Sequence, residues 1–270
     1  SFFESECSVE RVRSAQHEGF DPKAWERFVE TGAPGMCLPE SSGGGGASLT
    51  TGAIVADLLG EYIAPLPFIE HLVASRLLSL LNPEHDLLPS VASGEKIITL
   101  ALKPTSGDTA KIVPAGAIAD AVIVNTGSDL ILIVGKDSDS YLRNTADLPL
   151  GNRSLAEGEI IATGSAALSA FNRAINEWQA LIAVALTGLG RKAVDIGVSY
   201  AKERYQFGVL IGSFQGLQHG FASSITGVEG SHFLSSRAIS ALENNTDMAE
   251  SLSGMAFLFA SESALNAAAT

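Results

Sequence analysis

Ser199-Tyr200-Ala201-Lys202-Glu203-Arg204-Tyr205-Gln206-Phe207-Gly208-Val209-Leu210-Ile211-Gly212-Ser213-Phe214-Gln215-Gly216-Leu217-Gln218-His219 is the stretch on which the reading of this chain turns. It reads as a long helix that stops by Gly208, a short apolar turn, and a second long helix that begins near Gln215. Arg204 falls in the last turn of the first helix, where a cation meets the negative end of the helix dipole. Its plain role is a C-terminal capping charge. Its sharper role is a bidentate anion binder, because a guanidinium matches two phosphate oxygens at once. Phe207, with the side-chain amides of Gln206 and Gln215, can accompany a dinucleotide there.

Outward from this junction, residues 166–204 keep helical spacing for roughly 39 positions, about 58 Å at the helical rise. Residues 215–243 and 247–269 read as two more long helices. Rods of this length need neighbours along their whole length, so a bundle follows. The last helix runs in an Ala-rich pattern to Thr270 with no stop signal, which expects either fraying or further helix beyond it; the second is favoured.

Upstream the texture changes twice. Runs at 96–101, 121–125, 130–134 and 159–163 are rich in Ile, Val and Leu and separated by Gly, Asp, Ser and Pro clusters, a strand-and-turn signature. Asn125-Thr126-Gly127-Ser128-Asp129 reads as a hairpin connection. Before them the chain is helical, with short amphipathic stretches at 9–18 and 22–31. Asp21 is placed to cap the second, and Pro22 to begin it. Longer helices at 49–61 and 68–81 follow, the last ended by Asn82-Pro83. The predicted organisation is a helical domain at 1–93, a small β-barrel-like domain at 94–164 and a long-helix bundle at 165–270. The fold class is mostly α with a small central β domain.

Composition narrows the function. The chain has 270 residues, 46% of them hydrophobic and 17% charged, which suits a packed core and excludes wholesale disorder. Thirty acidic against 17 basic side chains leave a net charge of −13, so nucleic acid and anionic membrane are disfavoured as partners. Cys7 and Cys37 are too few for a disulfide scaffold or structural zinc, and point to a reducing, cytoplasmic setting. The start lacks a basic n-region and an apolar h-region, and the longest apolar run, around 180–189, is far short of the ~20 residues that span a bilayer.

Other motifs have plain readings. Gly188-Leu189-Gly190-Arg191-Lys192-Ala193 matches G-x-G-x-x-A, but helix-spaced sequence follows it where a strand would be needed. The glycines read as small residues that let helix backbones approach. Gly43–Gly46 lacks the Lys-Ser/Thr of a phosphate loop and reads as a flexible turn between helices. Ser199, in Gly-Val-Ser-Tyr-Ala, lies inside a helix rather than on a strand–helix elbow. His17, His71, His85, His219 and His232 show no metal-ligand spacing, so no metal is expected.

The quoted stretch resembles the acyl-CoA dehydrogenase family, in which Arg-x-x-Phe-Gly, a short apolar turn and Phe-Gln-x-x-Gln-His recur. Asp21 with Trp25, the segment from Thr31 to Glu40, Gly44–Gly46, Leu59-Gly60-Glu61, Ala64-Pro65-Leu66-Pro67 and Ala119-Asp120 with 122–124 are similar to family elements in the same order. The resemblance implies a helical domain, a β domain and a helical bundle. It implies FAD at a subunit interface, with Arg204, Gln206, Phe207, Ile211, Phe214 and Gln215 reaching the diphosphate and adenosine half of a cofactor held mainly by the neighbouring chain. It also implies an acyl-CoA substrate, from which a base takes the α-proton while a β-hydride passes to the flavin, and an electron-transfer flavoprotein-like acceptor.

The chain departs from the family pattern at three places. Leu102-Lys103-Pro104-Thr105 stands where a Thr-Glu-Pro-like stretch is usual, and no Trp-Ile-Thr/Ser element follows to hold the flavin ring. The glutamate that some members carry on the long helix corresponds to Trp178. Glu177 beside it is the candidate base, but it points about 100° away around the helix and otherwise reads as a solvated residue. The base of other members, and a Gln-x-x-Gly-Gly element of the FAD site, fall past residue 270. Such erosion is similar to the degenerate partner in α2β2 dehydrogenases of actinobacteria that process bulky steroid side-chain CoA thioesters. An ordinary homotetramer lacking its last portion and a non-catalytic scaffold of the same fold are the rival readings.

Overall fold

The computed structural model describes residues 2–136 and 141–270. Two compact units emerge, one made of residues 1–52 and 65–178, the other of 53–64 and 179–270.

In the first unit, α1 (Phe2–Glu6), α2 (Val9–Ala15) and α3 (Pro22–Val29) surround an aromatic cluster. Asp21 caps α3 as its sequence promised, its carboxylate accepting from the amides of Lys23 and Ala24 at 3.0 Å. Phe28 packs on Phe3, Trp25 and Phe68 with ring centroids 5.4–6.1 Å apart. α4 (Leu49–Glu61) starts in this unit, and α5 (Phe68–Leu81) crosses its centre with Phe68, Ile69, Leu72, Val73, Leu77 and Leu78 buried. A helix buried nearly all round has no amphipathic stripe, which is why α5 reads as a continuous apolar run. The short α6 (Leu88–Ala92) leads into the sheet.

The four-glycine segment is not the flexible turn expected. After a 3-10 turn at Glu40–Ser42, the amides of Gly44, Gly45, Gly46 and Ala47 bond the carbonyls of Pro39, Gly35, Leu38 and Met36 at 2.8–3.1 Å. A Cβ on Gly44 would sit 2.3 Å from the Leu38 Cβ, so the glycines are required by close backbone packing.

Six strands follow: β1 (Ile98–Leu100), β2 (Thr109–Val113), β3 (Ala121–Asn125), β4 (Asp129–Val134), β5 (Gly151–Ser154) and β6 (Glu159–Thr163). A four-stranded sheet has the order β1-β3-β4-β6, with β1 parallel to β3 and the other pairs antiparallel. The 125–129 connection is the expected hairpin, with the Thr126 amide on the Asp129 carbonyl at 3.0 Å. β2 and β5, absent from the sequence reading, pair with each other.

α7 (Gly164–Glu203) is a single helix of 40 residues whose first part belongs to the first unit and whose remainder belongs to the second. In the second unit it packs on the end of α4. A Cβ on Gly60 would lie 1.7 Å from the Ala185 carbonyl oxygen, and one on Gly188 would lie 2.2 Å from that of Asp57. The glycines of the G-x-G-x-x-A stretch are thus helix-crossing residues. Arg191 clamps Asp57 bidentately at 3.0 and 3.1 Å, and Lys192 reaches Glu61 at 3.3 Å. α8 (Gln215–Glu243) and α9 (Ala249–Ala269) complete the unit, with Val194, Val228 and Ala267 buried together.

Candidate functional site

α7 stops within one residue of the 166–204 spacing read from the sequence, well short of Gly208. It ends at Glu203, and a two-stranded hairpin, β7 (Tyr205–Gln206) and β8 (Val209–Leu210), interposes before a 3-10 turn at Ile211–Ser213. The Arg204 amide closes the helix on the Tyr200 carbonyl at 2.9 Å, and its own carbonyl takes the Ile211 amide at 2.9 Å. The turn is made by Phe207 (φ 54°) and Gly208 (φ 82°), the two consecutive left-handed residues that a tight hairpin needs. Glycine adopts that conformation freely; phenylalanine does so at a cost.

Arg204, Gln206, Phe207, Phe214 and Gln215 are all exposed here, and Ile211 is partly buried. Phe207 is 92% exposed and meets Phe214 edge-on at 6.4 Å. Among the described residues the Arg204 guanidinium has no carboxylate partner. The hairpin therefore presents a free cation and an uncovered aromatic ring on one tight, hydrogen-bonded element. That chemistry suits a diphosphate and the aromatic half of a dinucleotide. The donor set fits the phosphate side of FAD.

β2 passes to β3 through a turn that satisfies itself: the Gly116 amide bonds the Val113 carbonyl at 3.0 Å and Ala117 bonds Pro149 at 3.2 Å. Arg153, fully buried, donates to the carbonyls of Gly116 at 3.2 Å, Ala119 at 2.9 Å and Gly135. Nearby, the Thr99 hydroxyl donates to the Pro114 carbonyl at 2.7 Å, and within Leu102–Thr105 the Thr105 amide donates to the Asn125 carbonyl at 2.8 Å.

Glu177 is not the solvated residue expected from its position. It is 4% exposed, and both carboxylate oxygens are taken: Arg76 donates from Nε to Oε2 at 3.0 Å and from Nη2 to Oε1 at 3.2 Å, while Arg173 lies 3.4 Å from Oε1. Next to it, Trp178 donates its indole N–H to Glu70 Oε1 at 3.3 Å. Burial pushes the Glu70 carboxyl above the usual carboxylate range, in spite of hydrogen bonds from its own amide and the indole. Arg76 and Glu70 escaped the sequence reading. The signal for them was present: two isolated charges in the otherwise apolar run of α5.

A family model of the acyl-CoA dehydrogenase C-terminal domain matches residues 168–270, and one of the N-terminal domain matches residues 1–95. The chain belongs to the acyl-CoA dehydrogenase family, and its mostly helical fold with a small sheet region is that family's. Acyl-CoA dehydrogenase IpdE2 of Mycolicibacterium smegmatis is 31% identical over 229 residues, covering 81% of this chain and 67% of that protein. FadE27 of Mycobacterium tuberculosis is 27% identical over 259 residues, covering 83% and 68%. The chain thus spans about two thirds of the length of these relatives. Among solved structures, a variant of the steroid acyl-CoA dehydrogenase Tcur3481-Tcur3483 superposes with a TM-score of 0.85 at 27% identity, over 98% of this chain and 81% of that one. The ChsE4-ChsE5 complex from Mycobacterium tuberculosis shares the fold, with a TM-score of 0.84 at 22% identity over the same shares. No described helix is long and apolar enough to cross a membrane.

Proposed function

We propose that this chain is one subunit of a cytoplasmic, FAD-dependent acyl-CoA dehydrogenase of α2β2 type that desaturates a bulky, steroid-derived acyl-CoA. Its part is to hold the diphosphate and adenosine half of FAD across an interface with a homologous subunit, and that subunit holds the flavin ring. The observation that carries this reading is the hairpin: an Arg204 guanidinium with no carboxylate partner among the described residues, beside a Phe207 ring that is 92% exposed and strained into a left-handed conformation. A fold keeps such a ring outside its own core where something else covers it. The departure at Leu102-Lys103-Pro104-Thr105 supports the division of labour, since the Thr-Glu-Pro-like stretch that usually contacts the flavin ring does not stand there. Its relatives support the steroid class.

Bound FAD would accept the β-hydride while a base takes the α-proton. The partner subunit supplies that base in this reading, because Glu177 has both oxygens committed to arginines. Electrons leave to an electron-transfer flavoprotein-like acceptor. The test is flavin stoichiometry on the complex purified natively with its homologous subunit. About two FAD per four chains are expected, since one FAD is shared by each unlike pair. Four FAD in a homotetramer, or no flavin with any partner, overturns the reading.

A further inference from the structure

The ribbon of β7 and β8 has two paired rungs, Tyr205 with Leu210 and Gln206 with Val209. A two-stranded ribbon is marginally stable at best in water, so its direction depends on what fastens it from outside. The chain that leaves the ribbon is tied down at three points. The Ile211 amide bonds the Arg204 carbonyl at 2.9 Å, which returns the far end of the ribbon to the end of α7. Gly212 lies close against α7, where an added Cβ would come within 2.9 Å of the Ala201 carbonyl oxygen. Gln218, in the first turn of α8, reaches back six residues and donates from Nε2 to the Gly212 carbonyl at 2.9 Å. The Ser213 hydroxyl closes the turn only locally, on the Leu210 carbonyl at 2.7 Å. Gln218 therefore supplies, from a different element, the side-chain tie between this turn and α8. Phe214, which precedes the first residue of α8, makes no side-chain cap bond, so the helix start is not fastened in the usual way.

We propose that Gln218 is a positioning residue for FAD. Through the Gly212 carbonyl it braces the turn against α8, and the turn in its turn holds the backbone of Arg204 with the guanidinium aimed at the diphosphate. The inference rests on the FAD reading above and deepens it. In this role Gln218 touches no part of the cofactor. Loss of its bond leaves every contact available but lowers the fraction of hairpins that point correctly, and the apparent affinity falls by that fraction.

The test is titration of FAD into the flavin-stripped complex with its homologous subunit, followed by quenching of flavin fluorescence. Q218M keeps the length of the side chain without a donor, and Q218E turns an acceptor toward the Gly212 carbonyl. Each weakens FAD binding about fivefold, the worth of one exposed hydrogen bond. In an R204A background each adds less than about twofold, because no guanidinium is left to aim. General loosening of the chain would cost the same factor in both backgrounds, and the double-mutant cycle separates the two. Affinity within about twofold of wild type in both variants, equal losses with and without Arg204, or failure of both variants to fold overturns the proposal. A complex in which R204A alone leaves FAD affinity unchanged overturns the FAD reading itself, and is told apart by that.

Discussion

Arg76 and Glu177 face each other side-on, with Nε 3.0 Å from Oε2 and Nη2 3.2 Å from Oε1, although 101 residues separate them in the chain. The carboxylate is nearly fully buried and the guanidinium about a quarter exposed. Burying a carboxylate that deeply is costly unless cations pair with it, and having both oxygens engaged makes it structural rather than reactive.

Replacing Arg76 with Met leaves Glu177 with Arg173 alone, at 3.4 Å and more exposed. The expected loss is about 3 kcal/mol, at the lower end of what breaking a buried pair costs. The double variant R76M/E177L removes both charges and recovers most of it. Urea unfolding of both variants, with unchanged m-values, is the check.

Arg204→Ala leaves the chain's own stability within about 0.5 kcal/mol, since the side chain is exposed and has no carboxylate partner among the described residues. In the assembled complex it weakens FAD retention by roughly 10- to 100-fold, the loss of a charge-assisted bidentate contact. Arg204→Lys recovers part of the affinity, as a point charge without the fork. Flavin released on gel filtration reads the difference, and unchanged retention in R204A reduces the residue to a helix cap.

His71 gives the fold an acid limit. It is fully buried, with Nδ1 accepting the Ile98 amide at 3.3 Å and Nε2–H placed on the Val91 carbonyl at 3.1 Å, the tautomer assigned from these partners. Burial lowers its pKa from 6.5 to about 4. In the unfolded chain the ring titrates near 6.5, so between these values the unfolded state binds the extra proton. The stabilisation is complete above pH 6.5 and is lost as pH falls toward 4, a change on the order of 3 kcal/mol. Melting temperature across this window falls for the wild type more steeply than for His71→Gln.

Gly60→Ala drives a Cβ into the Ala185 carbonyl and forces α4 from α7 within the second unit. A loss of roughly 3 kcal/mol is expected, the upper range of overpacking costs. Gly216→Ala, where nothing lies within 4 Å of the added carbon, is the control on α8 and is neutral or slightly stabilising. Circular dichroism melts of the pair decide it.

Periodicity carried the regular elements. α5 and α8 match the boundaries read from their spacing, as do β3 and β6, because each carries its own pattern within a few turns or residues. The Asp21 cap was legible for the same reason. Arg204, Gln206, Phe207, Ile211, Phe214 and Gln215 are candidates singled out by a linear motif. β2 and β5 were not: their residues pair across some 40 positions, and Gly151-Asn152-Arg153-Ser154 has no apolar alternation of its own. The hairpin at 205–210 was hidden because two-residue strands leave no period to find.

What the linear order of residues determined by itself, then, is the succession of helices, strands and helices and the family to which the chain belongs, since these rest on short-range spacing and contiguous motifs. What only the tertiary structure decided is the state of the charged groups. Whether Glu177 is solvated or locked, and how far burial raises the Glu70 carboxyl, depend on groups brought near, or kept away, from distant parts of the chain. Burial and pairing energies act through space, and no local pattern encodes them.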